Sequence, residues 1–225
     1  MTAAAIEPEP LPFVTPVDWA LAQRDRGHVD ELLLEQAHLE KKAAAGAVAF
    51  LFRLPMHARL HRQLSALARE ELVHFERTLK LLEARAVAFE TQPSSGYAEQ
   101  LKKAVRRDFD GRRVDEVLVA AIIEARSHER MSLLATALRD SHPDVAAFYA
   151  DLCPSEERHE RLYFELATLW TDPRAAIDRH RELAEHEARV LRGLPFTARL
   201  HGGLPDDDTR QHEDRSAARA SRAEA

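Results

Sequence analysis

Between Gly27 and Trp170 the apolar positions recur every three or four residues, in four long stretches separated by breakers. That period lets a helix bury one face. The first stretch runs from Gly27 to Pro55 and the second from Met56 to about Glu90, so Pro55–Met56 marks a hairpin turn. Residues 91–111 interrupt the pattern with Pro93, Ser94, Ser95 and Gly96, and predict a long connection holding a short helix. The third stretch spans Arg112 to Asp140 without Gly or Pro, and the turn Asp140-Ser141-His142-Pro143 leads to a fourth that ends near Trp170. Asp172-Pro173 opens a fifth helix that Gly193 closes, and Thr15-Pro16-Val17-Asp18 reads as a cap and a first helical turn. Pro154 lies inside the fourth stretch and predicts a kink there, or a break between two collinear segments.

Each long stretch amounts to roughly 40–50 Å of helix at 1.5 Å per residue. Two such hairpins joined by one crossover predict an all-α chain: a ferritin-like four-helix bundle with a long crossover and additional flanking helices. Residues 1–16, with four prolines, form an extended N-terminal segment; residues 17–200 form the domain; residues 201–225 lack an apolar period and read as a disordered tail.

The predicted buried faces contain acids. The first row reads Leu33, Ala37, Glu40, Ala44, Ala47, and the second Leu64, Leu67, Ala68, Glu71, His74. The third reads Val117, Ala121, Glu124, Met131, Leu134, and the fourth Tyr149, Leu152, Glu156, His159, Tyr163. Each helix carries one core glutamate, and the second and fourth add a histidine three residues on, on the same face. A buried carboxylate is costly unless it is paired or binds a metal. One Glu on each of two helices and a Glu-x-x-His on each of the other two form the ligand set of a di-iron or di-manganese carboxylate site.

Spacing strengthens this reading. Glu40 and Glu71 are centred on the Pro55–Met56 turn, and Glu124 and Glu156 on Asp140, so each pair stands at one level of its hairpin. Glu35 and His38 share a face with Glu31 and Lys42 that reads as solvated, and Glu129 sits on a mixed face beside Arg126 and Arg130. His128 lies near the Glu124 row, and His57 and His61 have no acid nearby to complete a site. A metal-free helical interaction protein, its acids bridged by arginines, is the alternative.

Composition narrows the class. Only 7 glycines in 225 residues and 6% aromatics disfavour an all-β sandwich. No apolar run is long enough to span a membrane, and the start of the chain lacks the pattern of a signal peptide, so a cytoplasmic protein is expected. The single cysteine, Cys153, excludes an internal disulfide framework and a cysteine-rich rubredoxin unit. The net charge of −6 argues against a general nucleic-acid coat, yet the crossover KKAVRRDFDGRR concentrates Lys102, Lys103, Arg106, Arg107, Arg112 and Arg113. Arg53, Arg59 and Arg62 form a second basic group at the first hairpin turn.

The stretches HLEKKAAAGAVAFLFRLP, AREELVHFERTLKLL, IIEARSHERMSLLA and PSEERHERLYFELATLW resemble the tRNA hydroxylases that act on 2-methylthio-isopentenyl-adenosine, a base beside the anticodon. The resemblance covers about residues 17–200. It implies a non-haem centre of two iron ions, dioxygen as co-substrate, and hydroxylation of the prenyl group of a tRNA-borne adenosine. It also implies an electron donor of ferredoxin or reductase type. The implied ligands are Glu40, Glu71, His74, Glu124, Glu156 and His159, with Glu71 and Glu156 bridging by analogy with ferritin-like oxygenases. A tRNA substrate gives the six crossover bases a role in gripping phosphates. Other ferritin-like activities, of the ferroxidase, peroxide-reducing or manganese-catalase kind, are the alternatives on the same fold.

Overall fold

A computed structural model describes residues 7–53, 55 and 57–205. They form helices α1 (Val17–Leu21), α2 (Arg26–Arg53), α3 (Ala58–Ala84), α4 (Tyr97–Lys102), α5 (Phe109–Ala137), α6 (Pro143–Ala167) and α7 (Pro173–Gly193), and no strand among the described residues. Helices α2 and α3 pack as one hairpin and α5 and α6 as the other; α3 also meets α6, and α1, α4 and α7 flank α5. This is the expected bundle with its crossover.

The ends of the helices follow from local chemistry. Asp108 caps α5 by accepting from the Gly111 amide at 2.8 Å, and Asp172 caps α7 by accepting from the Arg174 amide at 2.8 Å. A cap of this kind is worth ~1 kcal/mol. Helix α3 stops at Ala84, short of the expected Glu90. Ala86 turns left-handed (φ 59°), its amide donates to the Glu83 carbonyl, and the Val87 amide donates to the Leu82 carbonyl at 2.9 Å, which closes a Schellman turn. Helix α6 runs through Pro154 as one helix, not as two collinear segments.

Two apolar clusters fill the bundle. One contains Ala47, Leu64, Leu67, Val117, Ala121, Tyr163 and Leu166; the other contains Leu33, Ala37, Leu82, Leu134, Tyr149 and Leu152. Along each of the four long helices the chain passes from one cluster to the other through the predicted glutamate: Ala37–Glu40–Ala47, Ala68–Glu71–Leu82, Ile122–Glu124–Met131 and Leu152–Glu156–Leu162. The glutamates thus form a single polar layer held between two dry ones.

Residues expected in the loose tail are in part packed. His201, Gly202, Gly203 and Pro205 are buried, and Arg130 donates to the Leu200 and Gly202 carbonyls at 2.7 Å each. Gly203 lies so close to the α7 end that a Cβ there would stand 1.8 Å from the Leu194 carbonyl oxygen. The segment is ordered by backbone contacts rather than an apolar stripe, so the tail expected from residue 201 is corrected through Pro205; residues 206–225 lie outside the described residues. The extended N-terminal segment is described from Glu7, and it too is tied down: Thr15 donates to Glu129 through its amide and hydroxyl at 2.8 and 2.7 Å.

Candidate metal centre

The six predicted residues meet. Ligand atoms of Glu40, Glu71, His74 and Glu156 lie within 4.8 Å of one another, and so do those of Glu71, Glu124, Glu156 and His159. Glu71 and Glu156 belong to both groups, while Glu40 with His74 and Glu124 with His159 complete one group each. All six are at most 6% exposed. Among the described residues no Lys or Arg pairs with the four carboxylates, so bridging by arginines does not account for their burial.

The nearest polar partners are few. The Gln36 amide donates to Glu40 Oε1 at 2.6 Å. His74 Nδ1 stands 3.7 Å from Glu40 and 3.6 Å from Glu71, and His159 Nδ1 stands 2.7 Å from Glu71 Oε1. Even so, among the described residues the Nδ1 atoms of His74 and His159 and Oε1 of Glu71 make no hydrogen bond, although all are buried. Orphaned donors and acceptors of this kind are rare in a folded core unless something else binds them. Both imidazoles turn Nδ1 inward. Their Nε2 atoms face outward, that of His159 to Glu70 and that of His74 to the Ser155 hydroxyl.

Charge in the layer is balanced by protons. Burial, reinforced by neighbouring carboxylates, pushes Glu71 and Glu156 well above the usual carboxylate range, and burial raises Glu124. Burial disfavours the charged form of Glu40, but His74, Glu71 and Gln36 outweigh it and hold its pKa low. Burial likewise opposes a charged His74, but Glu40 and Glu71 lift it to about 9. Divalent cations would displace these protons and supply the missing positive charge. Two imidazoles and four carboxylates suit iron or manganese.

The layer is reached through a cavity of about 750 Å³ between α2 and α5. Glu40, Glu71, Glu124 and Glu156 stand on its lining, with apolar walls from Leu39, Val119, Ile123, Met131 and Tyr163. Gly46, in the middle of α2, also lines it, and nothing lies within 4 Å of where a Cβ would sit. Lys102, Lys103, Arg106, Arg107 and Arg112 line the same cavity, so the basic crossover borders the route to the polar layer. Arg113 stands outside it and stacks over Phe109. Two of the bases are already engaged: Arg106 chelates Asp115, which also binds Arg179, and Arg112 pairs with Glu116 at 2.8 Å.

Other sequence expectations divide. Glu35 is not solvated: it is buried, accepts from the Leu200 amide at 2.5 Å, and burial pushes it up to about 7. The mixed face of Arg126, Glu129 and Arg130 is also internal. Arg126 and Arg130 are fully buried, and Arg126 binds Glu187 through two hydrogen bonds at 2.8 and 2.9 Å. His57 caps α3, and His61 contacts the His57 carbonyl at 3.0 Å. His128 is half-buried and outside both ligand groups. Sequence reading missed Gln36, Glu70 and Ser155, whose roles arise only once neighbouring helices are in place.

Four core glutamates and two histidines at one level of a four-helix bundle define the ferritin-like di-metal carboxylate class. The comparison with known proteins narrows this. The sequence profile of the tRNA-(MS(2)IO(6)A)-hydroxylase (MiaE) family matches residues 6–202, and the chain belongs to that family. It is 35% identical over 195 residues to the tRNA 2-(methylsulfanyl)-N(6)-isopentenyladenosine(37) hydroxylase of Pseudomonas putida, covering 85% of this chain and 91% of that one. It is 29% identical to the protein of the same description from Salmonella typhimurium, over 85% and 87% of the two chains. A solved structure, protein 43 with aldehyde deformylating oxygenase activity from Synechococcus, superposes with a TM-score of 0.78 at 37% identity, over 88% of this chain and 98% of that one.

Proposed function

We propose that this chain is a di-iron monooxygenase that hydroxylates the isopentenyl group of 2-methylthio-isopentenyl-adenosine in tRNA, with dioxygen as oxidant and two electrons from a ferredoxin- or reductase-type donor. Family membership supports the substrate class. The single observation that carries the reading is the cavity, which has the four carboxylates of the candidate metal layer on its lining and bases of the crossover along it. Glu40, Glu71, His74, Glu124, Glu156 and His159 would hold the metals, with Glu71 and Glu156, common to both ligand groups, between them. The two irons, when bound, would supply dioxygen activation. The residues of the chain do the rest. Leu39, Val119, Ile123 and Tyr163 offer an apolar wall for a five-carbon prenyl chain and keep bulk water from the layer. Lys102, Lys103 and Arg107, all exposed, offer phosphate contacts.

A long-chain aldehyde is the competing substrate class, favoured by the apolar wall and by the activity of the Synechococcus relative. One experiment separates them. Iron-loaded protein with dioxygen and a reducing system is given tRNA bearing the prenylated base, and in parallel a long-chain aldehyde. Nucleoside analysis should show the base gaining one oxygen. An unchanged nucleoside with aldehyde consumed would replace this reading by the other.

A further inference from the structure

The two most exposed phenylalanines of the protein stand by a second hollow, next to the reaction cavity. Phe52, near the end of α2, is 86% exposed, and Phe109, at the start of α5, is 68% exposed. Both line a groove of about 370 Å³ with Trp170, whose indole N–H has no partner among the described residues. Arg53, Arg112 and Arg113 complete it, and the Arg113 guanidinium lies 3.6 Å from the centre of the Phe109 ring. Glu116 neutralises part of this charge by pairing with Arg53 at 2.5 Å and with Arg112. Phe50, Arg53, Arg112 and Glu116 line the groove and the cavity alike, so the two hollows are continuous.

Exposed aromatic rings are costly in water, and neither ring belongs to an apolar cluster of the bundle. Rings interleaved with guanidinium groups are the surface on which unpaired bases stack, because every base offers a π-face while arginine meets the backbone phosphate. A target adenosine drawn into the cavity must leave its neighbours in the strand just outside, where this groove lies.

We propose that Phe52 and Phe109 form a stacking platform for the unpaired nucleotides flanking the target adenosine, with Arg53, Arg112 and Arg113 against the intervening phosphates. The proposal rests on the tRNA reading above and deepens it. It makes recognition depend on the bases beside the target as well as on the target.

The test uses the full-length protein and an RNA stem-loop carrying the prenylated adenosine, with 2-aminopurine at the next loop position. Binding to wild type should quench or shift the 2-aminopurine signal as it stacks. Phe52→Ala and Phe109→Ala should each weaken stem-loop affinity about tenfold, and the double variant more. Phe109→Trp should keep it. Turnover of the free modified nucleoside and metal content should stay within twofold of wild type. Unchanged stem-loop affinity in the double variant, with wild type hydroxylating the stem-loop, overturns the platform and leaves the function standing. Unchanged RNA binding with a loss of self-association in sedimentation would assign the patch to a second copy and also overturns it. A wild-type protein that neither binds nor oxidises the stem-loop overturns both readings.

Discussion

His159 Nε2 stands 3.0 Å from Glu70 Oε2. Nε2 of its counterpart on the other hairpin, His74, faces the Ser155 hydroxyl at 3.4 Å, and that hydroxyl already donates to the Leu152 carbonyl at 2.7 Å. Two half-sites with matching ligands therefore differ in what stands behind them. A carboxylate behind an imidazole fixes the tautomer that leaves Nδ1 free and makes the ring a stronger ligand. Glu70 is itself held low, its burial outweighed by His159 and Arg158. Glu70→Ala should weaken one of the two metals by 10–100-fold and leave the other nearly unchanged. Titration of the loaded protein with a chelator would then resolve two steps; Ser155→Ala should barely separate them. Equal weakening of both metals by Glu70→Ala would contradict the asymmetry.

Glu40 and Glu35 lie about 1.4 helical turns apart, on different sides of α2, and should behave oppositely. Glu40→Ala should abolish stoichiometric metal binding. Glu35→Gln should spare it and alter stability with pH. Glu35 has a folded pKa of about 7 against 4.5 in the open chain, because burial favours its protonated form. The folded state therefore binds the extra proton between those values, and stability falls as pH rises from about 4.5 through 7. The full span is worth ~3 kcal/mol. In urea unfolding of the metal-free protein at pH 5 and pH 8, wild type should lose more stability than Glu35→Gln by roughly this amount.

Charge reversal of Lys102, Lys103 and Arg107 should weaken tRNA binding and flatten its salt dependence, by about 0.7–0.9 log units of slope per lost phosphate contact. Free nucleoside should turn over normally. Arg106 is left out because its chelation of Asp115 is structural, and Arg106→Ala should lower the melting temperature. An unaltered salt slope in the triple variant would move the docking face elsewhere.

Gly46 keeps space in the cavity at the expense of helix stability, since glycine within a helix costs ~1 kcal/mol relative to alanine. Gly46→Ala should raise the melting temperature. Gly46→Leu should keep both metals but cut turnover of the prenylated nucleoside at least tenfold, by filling the space beside α5. A fully active Gly46→Leu protein would show that the substrate takes another route.

Much of this was legible in the chain because periodicity reports which side of a helix is covered. Glu40, Glu71, Glu124 and Glu156 stood out as acids in apolar rows. The start of α7 follows from Asp172-Pro173, whereas α5 begins at Phe109, three residues before the expected Arg112, because Asp108 caps it. The end of α3 was hidden because Ala86 adopts the left-handed turn where a glycine would have signalled it. Glu35 was misread because the cover over its face comes from Arg199 and Leu200, which lie on no helix and follow no period. Gln36, Glu70 and Ser155 look like ordinary flank residues until a second helix gives them partners.

The contact between Glu35 and Leu200 joins positions 165 residues apart and brings His201 into the cavity wall, stacked on Tyr97 at 4.5 Å between ring centres. Closing so long a loop is entropically slower and dearer than forming either hairpin, whose contacts are local. The two hairpins can thus set their glutamates at one level before residues 199–203 dock. A nascent chain whose last described segment is still in the ribosomal tunnel has the ligand layer without its finished wall.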